Sequence, residues 1–244
     1  MTGLLIAGVL LLTGCSTNVE TFPNADVIVN HAAQEQSMKK SIAAENRAFG
    51  IEEERSNTIM TLNNKQQTVL DHALGLITVP ENYTLMQVRE GVQNGENVFV
   101  FRYSKGENSE LLGEHFSFTI IEKSNQLLGV TWMDKQFAKG TELPSKEETE
   151  VIAKEYLAKV EPDLFGKLQN LWIAPHDETI VVNGNNVTVT GMKYKCFIPT
   201  EDTYAWVIAG PDNKVITFER GIVWQGGRVS EKWLHDSWLK ERGF

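Results

Sequence analysis

Few residues in this chain have the types and spacing that chemistry needs, and Cys15 comes first among them. It closes Leu12-Thr13-Gly14-Cys15 at the end of an uninterrupted apolar run, Leu4 to Leu12. The run falls well short of the ~20 apolar residues of a bilayer-spanning helix. It has the length of a signal-peptide core, and a small-residue cleavage site follows it. A buried N-terminal strand or helix ending in Cys is the alternative. The second cysteine, Cys196, sits in the alternating pattern Met192 to Phe197, which suits a small buried hydrophobe better than a reactive thiol.

The other chemical candidates are weak. His31, His72, His115, His176 and His235 show no metal-ligand spacing. His176-Asp177-Glu178 follows Pro175 and reads as an exposed loop, Glu114-His115 as a solvated strand start, and Glu52-Glu53-Glu54 as a solvated face. There is no His-Glu-x-x-His, no Gly-x-Ser-x-Gly elbow and no Gly-rich phosphate loop after a strand. The sequence therefore assigns no catalytic residue, no metal ligand and no cofactor. One aromatic group stands out near the end, Trp224, Trp233 and Trp238. It reads either as a C-terminal helix docked on a sheet or as a ligand-facing patch.

The 244 residues are 41% hydrophobic and 23% charged, enough for a real core in one large domain or two small ones. A net charge of -9 argues against nucleic acid, which requires clustered Lys and Arg, and against direct docking on anionic lipid by a basic surface. With Cys15 modified, Cys196 has no partner, so no intrachain disulfide is expected.

Residues 15–62 read as a polar tether plus a loosely packed helix or arm, Ala25 to Phe49. Two similar stretches follow, 63–140 and 141–244. In the first, an amphipathic run from Gln66 to Ile77 predicts a helix with Val69, Leu70, Ala73, Leu74 and Ile77 on one side. Strand patterns then cover Asn97 to Tyr103, His115 to Ile121 and Gln126 to Trp132. In the second, Ser145 and Glu148 form a capping-box signature for a helix carrying Val151, Ile152, Tyr156, Leu157 and Val160. Strands are expected at Thr179–Val182, Asn186–Thr190, Lys193–Ile198, Thr203–Ile208 and Lys214–Arg220, with Asn183-Gly184 as a hairpin turn. Ser230 to Leu239 predicts a short helix, with Ser230 as its cap. At an offset of 88, Phe116-Ser117-Phe118-Thr119-Ile120 falls on Tyr204-Ala205-Trp206-Val207-Ile208, which predicts matching inward faces. The expected fold is α+β, two tandem helix-plus-antiparallel-sheet modules after a leader and tether.

Leu12-Thr13-Gly14-Cys15 resembles the lipobox of bacterial lipoproteins. The resemblance implies a leader at 1–14, a diacylglyceryl group on Cys15 (palmitate-type acylation), cleavage before it, and a place on the outer face of the cell membrane. A disulfide-free protein of this kind is common among Gram-positive lipoproteins. A signal peptide has a basic start, and Met1-Thr2-Gly3 lacks Lys and Arg, which places the true start upstream. Leu143 to Ala153, the strand pair Tyr204–Ile208 and Val215–Phe218, and the turn Pro211 to Val215 resemble the PepSY-type modules of bacterial envelope proteins. That resemblance implies small cystatin-like modules, some of which bind or inhibit proteases. The expected function is a lipid-anchored, non-enzymatic binding protein for an envelope protein or peptide, with an extended peptide added at a sheet edge. Two alternatives stand beside it. One is an envelope hydrolase with an unrecognised site. The other is a precursor whose cleaved leader, Ala7 to Gly14, acts as a pheromone-like peptide.

Overall fold

A computed structural model describes residues 60–106 and 110–244. The leader, Cys15, the tether, the arm from Ala25 to Phe49 and the run Glu52-Glu53-Glu54 lie outside the described residues.

Helix α1 (Asn64–Leu76) begins at Asn63, whose side chain accepts from the Gln66 N–H while the Gln66 side chain accepts from the Asn63 N–H. This reciprocal cap satisfies two donors that a helix start otherwise leaves unpaired. Val69, Leu70 and Ala73 form its buried face. Four strands follow: β1 (Tyr83–Gln93), β2 (Glu96–Lys105), β3 (His115–Ile121) and β4 (Leu127–Met133). Helix α2 (Lys146–Val160) starts on the Ser145 and Glu148 capping box expected from its sequence. It leads into β5 (Gln169–Val182), β6 (Asn185–Ile198), β7 (Thr203–Ala209) and β8 (Val215–Ile222). A tail follows, ending in the short helix α3 (Asp236–Glu241).

All eight strands form one antiparallel sheet in the order β1-β2-β3-β4-β8-β7-β6-β5. The two meanders meet through their last strands. Val130 of β4 lies opposite Phe218 of β8, flanked by the pairs Gly129–Glu219 and Thr131–Thr217. Corresponding strands thus run antiparallel about a local two-fold at Val130 and Phe218. A single apolar rank crosses the sheet through that point: Val88, Phe101, Phe118, Val130, Phe218, Val207, Tyr194 and Ile173, each opposite the next. α1 and α2 pack on this face, and the rank belongs to the largest core cluster. Phe101 and Phe118 stack at 4.8 Å within it.

The register corrects the expected offset. Val207, not Trp206, stands where Phe118 stands relative to the two-fold, because Phe118 pairs with Val130 and Val207 pairs with Phe218. A one-residue slip reverses every side chain. Phe116, Phe118 and Ile120 accordingly face the helices, whereas Trp206 and Ile208 enter a separate cluster with Met133, Ile180 and Ile216. Both hairpins carry the same one-residue shift; they differ in that six residues separate Ile120 from Leu127 and five separate Ala209 from Val215, and the shorter connection moves β7 by one place.

Three further expectations change. β1 and residues 169–178 of β5 are strands that the periodicity did not reveal. Both are half-exposed edge strands, so neither carries a clean alternation. His176-Asp177-Glu178 lies within β5 rather than in a loop. In the tail, helix begins only at Asp236. Ser230 instead accepts from the Val223 N–H and donates to the Asn94 side chain, so it fastens the tail to the β1–β2 turn.

Candidate functional site

The helix face is incompletely covered. α1 and α2 flank a groove of about 670 Å³, within the size range of ligand sites. Phe116, Val130, Trp132 and Val215 form its floor, so both meanders contribute at the two-fold. Leu76 and Ile77 form one wall, and Val151, Ile152 and Tyr156 form the other. Val151 is 55% exposed, a large apolar side chain that α2 does not use for packing. Glu147, Glu148 and Glu155 line the rim, with Lys159 and Lys214. The Tyr156 hydroxyl is itself buried and has no hydrogen-bond partner. Burial pushes Tyr156 above its ordinary range, which keeps it a neutral donor.

The opposite face joins two smaller apolar clusters to a seam of buried charges. Arg102 donates to both carboxylate oxygens of Asp236, at 2.7 and 2.8 Å, and the Leu112 N–H donates to the same carboxylate at 2.5 Å. Arg228 donates to Glu219 at 2.7 Å, and His235 lies 2.9 Å from the second Glu219 oxygen. The four side chains of the Arg102–Asp236 and Arg228–Glu219 pairs are nearly inaccessible. Burial opposes ionisation of Glu219, but the charges of His235 and Arg228 more than offset it and hold the carboxyl well below its usual range. Asp236 is also shifted down: burial opposes ionisation, and His115, Arg102 and the Leu112 N–H outweigh it at the acid pH where Asp236 would titrate.

Beneath the tail this seam encloses a cavity of about 60 Å³, room for about two waters at their share of liquid volume. Its lining includes His115, His176 and His235, with Glu178, Lys193, Glu219 and Asp236. Tertiary structure thus gathers three histidines whose sequence spacing connects none of them. His115 is 2% exposed, not solvated as expected. Its Nδ1 donates to the Gly113 carbonyl at 2.9 Å, and its Nε2 is buried without a partner. Burial pushes its pKa down to about 4, so the ring is neutral at pH 7. Burial likewise lowers Lys193 to about 8, with its ammonium 3.9 Å from the Trp206 ring centre. Among the described residues, no three His, Cys, Asp or Glu side chains are grouped as a metal ion would need.

The remaining sequence candidates separate. Trp233 is buried and donates its indole N–H to the Val92 carbonyl at 3.0 Å. Trp238 packs edge-on to it at 5.3 Å. Trp224 lies apart beside Tyr204 and Lys195, 47% exposed. Cys196 is fully buried in the helix-face core, and burial pushes its thiol up to about 11. The groove residues were missed because Trp132 and Tyr156 look like ordinary core positions. The one available signal was Val151 beside Ile152, an apolar stripe wider than a single packing face requires.

In class, this is an antiparallel sheet backed by helices on one face, with an apolar groove between them. The chain belongs to the YcdB, YcdC repeated domain family, whose model matches residues 66–188, from α1 into β6. It is also similar to the solved YpeB C-terminal domain of Bacillus megaterium, at 12% identity and a TM-score of 0.23, over 66% of this chain and 67% of that one. No curated protein matches the chain.

Proposed function

We propose that this protein is a non-enzymatic binding module, held outside the cell membrane by lipid on Cys15, that captures an apolar, basic peptide segment of an envelope partner. The groove between α1 and α2 carries this reading. Its aromatic and aliphatic floor offers burial, and its three glutamates outnumber its two lysines, which favours a cation. We read the two helix-plus-meander halves as PepSY-like copies joined through β4 and β8, so that one groove serves both.

The groove fits a peptide better than the sheet edges do. Edge strand β5 carries an irregularity between Asn170 and Trp172, a proline at 175 and charges at 177 and 178. Edge strand β1 is irregular between Leu85 and Gln87. Such features discourage strand addition.

Two measurements test the reading. A random peptide library panned on the full chain should enrich sequences with apolar residues and Lys or Arg. Their NMR footprint should fall on Trp132, Val151 and Tyr156 and vanish in Val151→Glu. Absence of enrichment, or a footprint on β5 or the tail, would overturn the groove. Mass spectrometry of the native protein should find a diacylglyceryl thioether at Cys15; a free thiol there removes the anchor.

The polar cavity supports a second reading, a hydrolase using His115. Its carboxylates Glu219 and Asp236 are already committed to Arg228 and Arg102, and its volume admits water rather than a substrate. Ester or peptide turnover that His115→Gln abolishes without lowering the melting temperature would establish the hydrolase.

A further inference from the structure

We propose that the surface around Trp238 and Phe244 is a docking face for anionic lipid headgroups. Four observations carry this. First, Arg242 lies over the Trp238 ring at 4.5 Å and Arg89 over the Phe244 ring at 5.1 Å, and among the described residues neither guanidinium makes an ion pair. Second, the rings are fixed: Trp238 and Phe244 stack at 6.3 Å, and both contact the buried Trp233 at 5.3 Å. Arg89 donates its Nε–H to Gln87 at 2.9 Å, which leaves its terminal N–H groups and the Arg242 guanidinium to meet an oxyanion, as in phosphate recognition.

Third, the same surface is apolar between its cations. Val92, Val229 and Phe244 are each about half exposed, around an open hollow of about 630 Å³. Lys232 lies in its lining, and Lys240 is on the adjoining helix. Of the acidic side chains nearby, Glu231 in the lining accepts the Asn94 N–H, and Glu241 lies beside Lys240 on the same helix. Fourth, this combination of aromatic rings, aliphatic side chains and peripheral cations matches what a headgroup boundary accommodates: amphipathic rings at the interface and cations toward phosphate. A soluble acidic peptide would satisfy the cations but not the scattered aliphatic surface.

The inference complements the proposed lipid anchor, but it rests on these surface residues alone. The two are separable, because acylation is read at Cys15 and docking is read on unacylated protein.

The test is flotation of the unacylated full chain with vesicles of phosphatidylcholine alone or mixed equally with phosphatidylglycerol. The chain should float with the mixed vesicles at low salt, stay behind with phosphatidylcholine, and be released as salt screens the contact. The double variant Arg89→Gln, Arg242→Gln should lose about 30-fold in partitioning, the equivalent of about 1 kcal/mol for each of two cations. A control, Lys146→Gln with Lys167→Gln, changes net charge equally through exposed residues elsewhere and should float like the parent. The proposal fails if the parent does not float, if it floats equally with both vesicles, if the arginine variant floats unchanged, or if the control loses as much. Selective binding to an acidic peptide with no flotation would also overturn it.

Discussion

The two faces of the sheet solve the same covering problem with opposite chemistry. On the helix face, an apolar rank runs from Val88 to Ile173 and is buried by α1 and α2, leaving a gap between the helices at the two-fold. On the tail face, Arg228 and Asp236 of the tail are buried against Glu219 and Arg102 of the sheet, beside two small apolar clusters. Apolar burial is non-directional, so the helix face tolerates a groove at little cost, with the Tyr156 hydroxyl as its unpaired polar group. Buried charges demand particular partners, so the tail must sit in one place. The difference teaches that the face with room for a ligand is the one whose cohesion does not depend on geometry, whereas the polar face is committed to fixing the tail.

The largest expected effect tests that contrast directly. Asp236→Ala strands Arg102 in a buried site and should cost about 3–5 kcal/mol in urea unfolding. The paired replacement Arg102→Met with Asp236→Leu should recover most of that loss, since an apolar pair of similar volume removes the stranded charge. If the double variant is as unstable as the single one, the seam contributes through more than charge pairing.

Acid should loosen the tail face first. The pKa of His115 is about 4 in the folded protein and about 6.5 in an unfolded chain. Between these values the unfolded state binds more protons, so stability is fully present above pH ~6.5 and falls as pH drops toward ~4, by an order of 3 kcal/mol. Asp236 and Glu219, both held below their ordinary range, add further loss below the usual carboxylate pKa. In His115→Gln the slope between pH 6.5 and 4 should disappear; its persistence would mean that another group controls it.

Gly91→Ala sharpens the comparison at the tail's aromatic anchor. A Cβ there would lie 2.5 Å from the Trp233 ring. Displacing that ring should cost about 1–3 kcal/mol, the usual range for overpacking, and should change near-UV circular dichroism while leaving the groove's peptide affinity unaltered. The smallest effect belongs to the helix face. Ser145→Ala removes the α2 cap and should cost about 1 kcal/mol, measured as a modest drop in melting temperature.

Legibility followed the same division. The apolar spacing of α1 and α2, the Ser145 cap and the Asn183-Gly184 turn were readable because each rests on local sequence. The β1–β2 turn had a comparable signal in Asn94-Gly95, both with positive φ, yet β1 itself was hidden because it lies half-exposed at an edge. The parity of the second hairpin was misread because its connection is one residue shorter than that of the first, so an offset that fits β4 and β8 is one residue out for β3 and β7. His115 looked solvated beside Glu114, and only its neighbours in space bury it.

By itself the sequence determined the capped helices, most of the strands, the turns between them and the lack of any recognisable catalytic motif, since these follow from side-chain periodicity and backbone preference within a few residues. Only the tertiary structure decided that the two meanders fuse through β4 and β8 into one sheet, that a groove opens where they meet, and that Arg102 finds Asp236 and His115 finds its cavity. Those outcomes depend on pairing between strands and charges more than eighty residues apart, and no local pattern encodes which distant partner completes a buried group.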